Sequence, residues 1–303
     1  MNLPTVKQLR YFAALDAHGH FGRAAEACFV SQSAFSVAIR ELETLLNVQL
    51  VDRTNKCVTI TPMGREVAAK ARLCLRDMEE LVELASSNRE PLAGKLKLGV
   101  IPTIAPFLLP KVLPPLRKAY PKLQLFLVED TTQRVYQKLM DGELDIILIA
   151  LPYELRNVEI MSLFKDPFRL ACRMGSQWVD PERYSSKQTA KQLAPESILL
   201  LEDGHCLRDH ALAACKIRNL EQVSRFAASS LLTLVEMVDA DLGITYLPQM
   251  AEGSPLLKST RVKTYPLEDK SYREIGLVWR RGSAQGEAFR LLGEFIAELQ
   301  AKG

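Results

Sequence analysis

Between Thr61 and about Arg89 the chain repeats small or apolar side chains at spacings of 4, 3, 4, 3 and 4: Val67, Ala71, Cys74, Met78, Leu81 and Ala85. A seam with that spacing stays on one side of a single continuous α-helix. Almost three heptads are long enough to pair two chains, so the expectation is a homodimer through residues 61–89. A helix of that length is a rod. The residues on either side of it must therefore fold as separate bodies. The stretch "SSNREPLAG" ends it with Pro91 and Gly94 and reads as a linker.

Residues 5–46 read as three helices. "VKQLRYFAALDAHG" stops near Gly19, and "FGRAAEACF" is short and rich in small residues, as a tightly packed second helix would be. Ser31 is a good N-cap for "QSAFSVAIRELETLL", on which Phe35, Ile39, Leu42 and Leu46 form one apolar face. The opposite face carries Gln32, Ser33, Ser36 and Arg40, which are the polar side chains that base edges and phosphates in a major groove accept. "VQLVDRTNKCVTITPMG" then reads as a turn between two short strands, a wing on which Arg53, Thr54 and Lys56 can meet backbone phosphate. Residues 1–66 hold seven basic and six acidic side chains, a net +1, so charge alone does not single out a DNA-binding surface.

After the linker the period changes. "KLKLGV" alternates as a strand, a helical run reaches Tyr120, and "LQLFLVE" is a second strand. "TTQRVYQKLMDGEL" is a helix stopped at Gly142, and "DIILIAL" is a buried strand, which completes a βαβαβ unit with an expected right-handed crossover. "SSLLTLVEMVDADLGITYLP" repeats the theme with a helix closed by Gly243 and a strand; "REIGLVWRR" and "EAFRLLGEFIAELQ" supply a last strand and helix. Two α/β subdomains joined by crossing strands leave a cleft at the carboxyl ends of the strands. Thr103 and Thr132, which each follow a strand, can face that cleft.

The chain has 303 residues, 48% hydrophobic and 25% charged, with a net charge of +3, so it is neither a polycation nor in need of a disulfide scaffold. The start lacks a signal-peptide pattern and the apolar runs fall short of a membrane span, so a cytoplasmic protein with no membrane partner is expected. Cysteines stand at 28, 57, 74, 172, 206 and 215, without paired metal-ligand spacings. In a reducing compartment they are thiols, and any disulfide is a regulated event. Two of them lie nine residues apart in "LLLEDGHCLRDHALAAC", a polar, helix-like segment from Leu199 to Cys215.

The pieces "LRYFAALDAHGHFGRAAEACFVSQSAFSVAIRELE", "LVDRT" and "VTITPMG" resemble the winged helix-turn-helix of LysR-type regulators, and the resemblance covers the whole chain. Within that family, "IPTIAPFLLP", "VEDTT" and "LEDGHCLRDHALAAC" resemble the peroxide-sensing OxyR type. The resemblance implies a winged helix-turn-helix domain at 1–61, a linker and dimerisation helix at 62–90, and a regulatory domain at 91–303. That domain divides into two α/β subdomains of periplasmic-binding-protein type, 91–167 with 268–303 and 168–267. It implies DNA contacts from Arg23, Ser31, Gln32, Ser33, Ser36, Arg40, Arg53 and Thr54. Cys206 is by resemblance the peroxidatic cysteine and Cys215 the resolving one. Thr103, Thr132, Gly204, His205 and Arg273 match a peroxide pocket; Thr132 is preferred to Thr131 because it stands three after Glu129. The implied partners are double-stranded DNA, hydrogen peroxide, RNA polymerase and further copies of the chain, as a dimer assembling to a tetramer, with no cofactor and no metal. Ser33 stands where the family often has proline, Phe35 where it often has a smaller aliphatic residue, and His210 is an extra imidazole beside the sensor.

The chemistry agrees with that reading. A thiolate attacks peroxide, and Cys206 stands at what reads as a helix start, where amides and a cation such as His205, Arg208 or Arg273 favour negative charge. Cys28 and Cys172 read as inert buried thiols, and Cys74 as seam packing. Two other functions remain: a LysR-type regulator that binds a small metabolite, and a thiol peroxidase. Against the peroxidase, Pro106 and not a cysteine stands three after Thr103, and a pure enzyme has no use for the DNA-binding end.

Overall fold

The computed structural model describes residues 3–54, 57–85, 92–180, 193–214, 217, 220–267 and 271–302. The chain divides into two compact units, Met1–Arg89 with Met140–Leu144, and Glu90–Leu139 with Asp145–Gly303.

In the first unit α1 (Val6–His18) starts at a capping box of Thr5 and Gln8 and ends at Gly19, whose φ of 59° is the left-handed cap that glycine tolerates best. His20 caps α2 (Phe21–Ala27): its Nδ1 accepts from the Gly22 and Arg23 amides at 3.0 and 3.4 Å. Ser31 caps α3 (Gln32–Leu46), its hydroxyl accepting from the Ala34 amide. Phe12, Leu15, Phe35, Ile39 and Leu42 are fully buried between these helices. Phe35 fills its larger volume by stacking on Tyr11 at 5.0 Å and meeting the edge of Phe21 at 6.0 Å. Leu46, expected on the same face, is exposed, because it is the last residue of α3 and Asn47, at φ 52°, ends the helix there. Antiparallel strands β1 (Val51–Thr54) and β2 (Cys57–Ile60) form the wing, with Arg53 opposite Val58. Glu43 ties α3 to the wing by accepting from the Leu50 and Val51 amides at 2.9 and 3.1 Å.

Helix α4 (Pro62–Ala85) begins at Thr61, whose hydroxyl accepts from the Gly64 amide. The seam divides along it. Ala71 is buried and Val67 half-buried, whereas Cys74, Met78 and Leu81 are exposed; the side chain of Ala85 lies outside the described residues.

The second unit is α/β. Its first part runs β3 (Gly94–Val100), α5 (Ala105–Ala119), β4 (Leu123–Glu129), α6 (Thr132–Met140) and β5 (Ile146–Leu151). β3 pairs in parallel with β4 and β5. All six residues of β5 are buried, as expected of a strand covered on both faces. β6 (Val158–Arg173) follows, then β7 (Ile198–Leu201), α7 (Cys206–Ala214), β8 (Val223–Ala228), α8 (Leu231–Asp239), β9 (Thr245–Pro248), a one-turn α9 (Pro255–Lys258), β10 (Val262–Pro266), β11 (Tyr272–Arg280) and α10 (Gly286–Lys302). The main sheet has the order β10-β6-β11-β5-β3-β4, with β9 also on β6. β6 is the crossing strand: Pro167 still faces Tyr272 of β11, and Phe168 already faces Pro248 of β9.

Two local readings change. Leu199–Leu201 belong to β7 and not to a polar helix; four consecutive apolar residues from Ile198 are all buried beside β8. α8 is closed before Gly243, by Ala240 and by Asp241 at φ 58°. Gly243 serves a close approach instead, since a Cβ there would stand 2.6 Å from the Ser197 carbonyl oxygen. No helix among the described residues is long and apolar enough to cross a membrane.

Candidate functional site

Thr103 stands just past the carboxyl end of β3 and Thr132 is the first residue of α6, just past β4. Parallel β3 and β4 therefore deliver both hydroxyls to the same edge of the sheet. Cys206 is the first residue of α7, reached from β7 by a turn in which Gly204 takes a φ of 97°, a backbone conformation that L side chains rarely adopt. Ile101, Pro102, Thr103, Thr131, Thr132, His205 and Cys206 line one cavity of about 150 Å3. The space is too narrow for a water-sized sphere. Thr132 is buried there. Thr131 also lines the cavity, but its amide donates to Asp130 and its carbonyl accepts from the Val135 amide.

Arg273, the second residue of β11, is fully buried opposite Asp166 of β6. Its Nε donates to Asp166 Oδ2 at 3.0 Å, its Nη1 to the Thr103 hydroxyl at 2.9 Å and its Nη2 to the Thr103 carbonyl at 2.8 Å. Nη2 also lies 3.4 Å from Met250 Sδ. The Met250 amide donates to Asp166 Oδ1 at 3.1 Å, so both carboxyl oxygens accept, the pattern of a carboxylate. Burial works against that charge and pushes the Asp166 carboxyl up, while Arg273 and the Met250 and Gln249 amides pull it down. Sequence reasoning missed Asp166 and Met250. A lone aspartate inside the apolar run "MSLFKDPFRLAC" was the available signal.

Burial also pushes the Cys206 thiol above its ordinary 9.0, and Asp209 adds to this; the Thr132 hydroxyl, Arg273 and the backbone amide of Cys206 itself act the other way. The Thr132 hydroxyl favours the thiolate by proximity, although no described atom meets hydrogen-bond geometry with it. The Arg208 guanidinium is held by the Leu201 carbonyl at 3.3 Å and by Asp203 at 3.0 Å. The geometry thus brings Thr103, Thr132, His205, Cys206 and Arg273 together. Cys215 lies outside the described residues.

Among the other thiols Cys172 is buried and pushed up to about 11 by burial and by Asp241. Cys28 is half-buried and raised, chiefly by burial. Cys74 is exposed on α4, and the side chain of Cys57 lies outside the described residues.

On the first unit Arg23, Ser31, Gln32, Ser33 and Arg40 are exposed and Ser36 is half-buried. The Ser31 and Ser33 hydroxyls lie 3.1 Å apart, and Arg40 Nε donates to the Ser36 carbonyl at 3.4 Å. The backbones of Arg53 and Thr54 are in β1, but their side chains, and all of Lys56, lie outside the described residues.

Residues 6–65 match the family described as bacterial regulatory helix-turn-helix protein, lysR family, and residues 89–301 match the LysR substrate binding domain. The chain is 37% identical over 301 residues to the HTH-type transcriptional regulator EstR of Acinetobacter baylyi, covering 99% of this chain and 98% of that one. It is 39% identical over 292 residues to the DNA-binding transcriptional dual regulator OxyR of Escherichia coli, covering 96% and 94%. A full-length OxyR variant from Pseudomonas aeruginosa superposes with a TM-score of 0.83 at 33% identity over 98% of this chain and 95% of that one. The reduced regulatory domain of OxyR2 from Vibrio vulnificus superposes at 0.62 and 38% identity over 70% of this chain and 98% of that one. A winged helix-turn-helix, a long helix and an α/β regulatory body in this order, matched along the whole length, place the chain in the LysR family of DNA-binding regulators, in its OxyR type.

Proposed function

We propose that this protein is a hydrogen-peroxide-responsive, DNA-binding transcription regulator, switched by a reversible disulfide between Cys206 and Cys215. One observation carries the reading: a buried thiol at a helix start shares a narrow cavity with three threonines, one of which, Thr103, is held by a buried arginine paired with Asp166. The thiolate of Cys206 attacks one peroxide oxygen, the O–O bond breaks, and hydroxide leaves to become water on taking a proton. The sulfenic acid formed on Cys206 is then attacked by the Cys215 thiol, an S–S bond forms, and a second water leaves. Two thiols lose two electrons and peroxide gains them. In the pocket Thr103, Thr132 and His205 hold the peroxide oxygens, Arg273 favours negative charge, and Gly204 lets the chain turn into α7.

The bond demands refolding. α7 is helical from Cys206 to Ala214. The eight helical steps from Cys206 to Ala214 rise about 12 Å, and the one further Cα–Cα step to Cys215 spans about 3.8 Å, so the two cysteine Cα atoms stay more than about 8 Å apart, whereas a disulfide needs roughly 4.4–6.8 Å. Oxidation must therefore unwind or move this segment, which changes the surfaces by which regulatory domains pair and re-spaces the DNA-binding heads. Domains 1–61, 62–90 and 91–303, the last in two subdomains, carry these roles. Exposed Met78 and Leu81 fit a dimer seam. Assembly to a tetramer, contact with RNA polymerase and a cytoplasmic location complete the reading.

Thiol titration before and after one equivalent of peroxide, followed by mass mapping, tests it. The reading expects loss of two thiols and a 206–215 bond in the wild type, no response in Cys206→Ser, and a sulfenic acid that does not lock in Cys215→Ser. A second reading, a regulator that binds a small metabolite, draws on the match of residues 89–301 to the LysR substrate binding domain. Two thiols that survive peroxide would favour it.

A further inference from the structure

His210 lies four residues after Cys206 on α7, which puts both side chains on one face of that helix. Both are buried. His210 Nε2 stands 2.9 Å from the Pro152 carbonyl oxygen, just past β5. A carbonyl can only accept, so Nε2 carries a proton; burial disfavours a second one, and in the neutral ring Nδ1 holds a lone pair. Nδ1 is buried with no hydrogen-bond partner among the described residues. A second proton on this ring would therefore find no acceptor.

The charged and titratable surroundings point the same way. α7 contributes Cys206 and Asp209, β11 contributes Arg273 with its partner Asp166 on β6, and the segment after β5 contributes the Pro152 carbonyl and Tyr153. Burial disfavours the imidazolium most; Arg273 adds to this, and the Pro152 carbonyl and Asp209 oppose it. Among the described residues one hydrogen bond from this ring, to the Pro152 carbonyl, ties it to the segment after β5, and the neutral ring suits the site.

We propose that His210 is a positioning residue that couples the Cys206–Cys215 switch to pH: its neutral ring anchors α7 on Pro152, and refolding of 206–215 frees it to take up a proton. The inference rests on the proposed disulfide. Its sign follows from linkage. The reduced fold resists protonation of His210, so the anchored state loses stability as pH falls through the ring's ordinary 6.5. The oxidised form, with the ring released, binds the proton at that pH. Acid therefore favours oxidation relative to a protein whose residue 210 cannot titrate.

The test uses the full-length protein equilibrated in glutathione redox buffers from pH 5.5 to 8.0, with the disulfide fraction read by mass spectrometry. His210→Gln keeps a donor for Pro152 and cannot titrate, and the pH dependence of glutathione cancels between the two proteins. The ratio of their oxidation constants is expected to be flat above about pH 7.5. Below about pH 6.5 it should rise in favour of the wild type, by at most tenfold per pH unit. His210→Leu, which loses donor and titration alike, should be more oxidised than His210→Gln at every pH. A flat ratio throughout overturns the coupling while leaving the disulfide standing; absence of the bond overturns both. A measurement without variants guards against misfolding. The imidazole of His210, followed by NMR in reduced and oxidised wild type, should titrate at higher pH in the oxidised form, and equal midpoints overturn the proposal.

Discussion

Arg273 holds Thr103 from both sides, donating to its hydroxyl at 2.9 Å and to its backbone carbonyl at 2.8 Å. The threonine is thereby fixed at the end of β3 with its hydroxyl oxygen occupied as an acceptor, which leaves the hydroxyl proton free to be donated. Thr103→Val keeps the shape and removes that donor. Oxidation of Cys206 by peroxide should slow by an order of magnitude or more, at about 1.4 kcal/mol per tenfold, while alkylation by a neutral reagent changes much less. Equal slowing of the two reactions would mean a defect of access and not of peroxide positioning.

Thr132 offers the opposite balance. Its hydroxyl is buried without a hydrogen-bond partner among the described residues, and such a group costs roughly 1–3 kcal/mol. Thr132→Val should leave stability unchanged or raise it, and should slow peroxide oxidation of Cys206. Urea unfolding and stopped-flow oxidation on the same variant measure both. A variant that is much less stable would mean the hydroxyl has a structural partner.

Asp166 neutralises Arg273 where neither reaches water. Asp166→Asn leaves the guanidinium buried without its countercharge, and breaking such a pair costs about 3–5 kcal/mol. A lower urea midpoint and slower Cys206 oxidation are expected together, since Arg273 then loses its aim at Thr103.

The Cys206 thiol is held above its ordinary 9.0, mostly by burial. The neutral thiol is therefore the resting form through the physiological range, and the thiolate fraction rises with pH. Peroxide oxidation should climb by up to about tenfold per pH unit between pH 6.5 and 8.5. A rate independent of pH in that interval would show that the thiolate is already fully formed.

On the first unit, Ser31→Ala removes the cap of α3 and should cost about 1 kcal/mol. Gln32→Ala and Ser33→Ala should alter base preference, whereas Arg53→Ala should weaken binding to all sequences and reduce the salt slope by about one. Unchanged affinity and preference in the Gln32 and Ser33 variants would remove α3 from the recognition role. On α4, Met78→Asp should convert dimers to monomers in light scattering, because it sets a charge in the exposed apolar seam.

Local order was readable from residues alone. Helices α1 and α3 announce themselves by an end signal and by a cap with its period, the former through Gly19 and the latter through Ser31. β3, β4 and β5 show in alternation or in a continuous apolar run. The start of α7 at Cys206 was visible in the turn residues before it, and the two cysteines were visible as a pair because they lie close in sequence. These are short-range effects: a cap bonds within three residues and a helix face repeats every three or four. Two boundaries shifted for the same reason, since β7 and the end of α8 are decided by what packs beside them: Leu199–Leu201 became strand by pairing with β8, and Gly243 is required by the Ser197 backbone. The site itself needed the tertiary structure. Arg273 and Asp166 are 107 residues apart and Arg273 and Thr103 are 170 apart, so no spacing rule links them. They meet because β6 and β11 pair antiparallel, in a register that sets Arg273 opposite Asp166, and because a buried guanidinium is costly unless it is paired. The same holds for His210 and the Pro152 carbonyl: the sequence shows an extra imidazole, and only packing of α7 beside the end of β5 makes it an anchor.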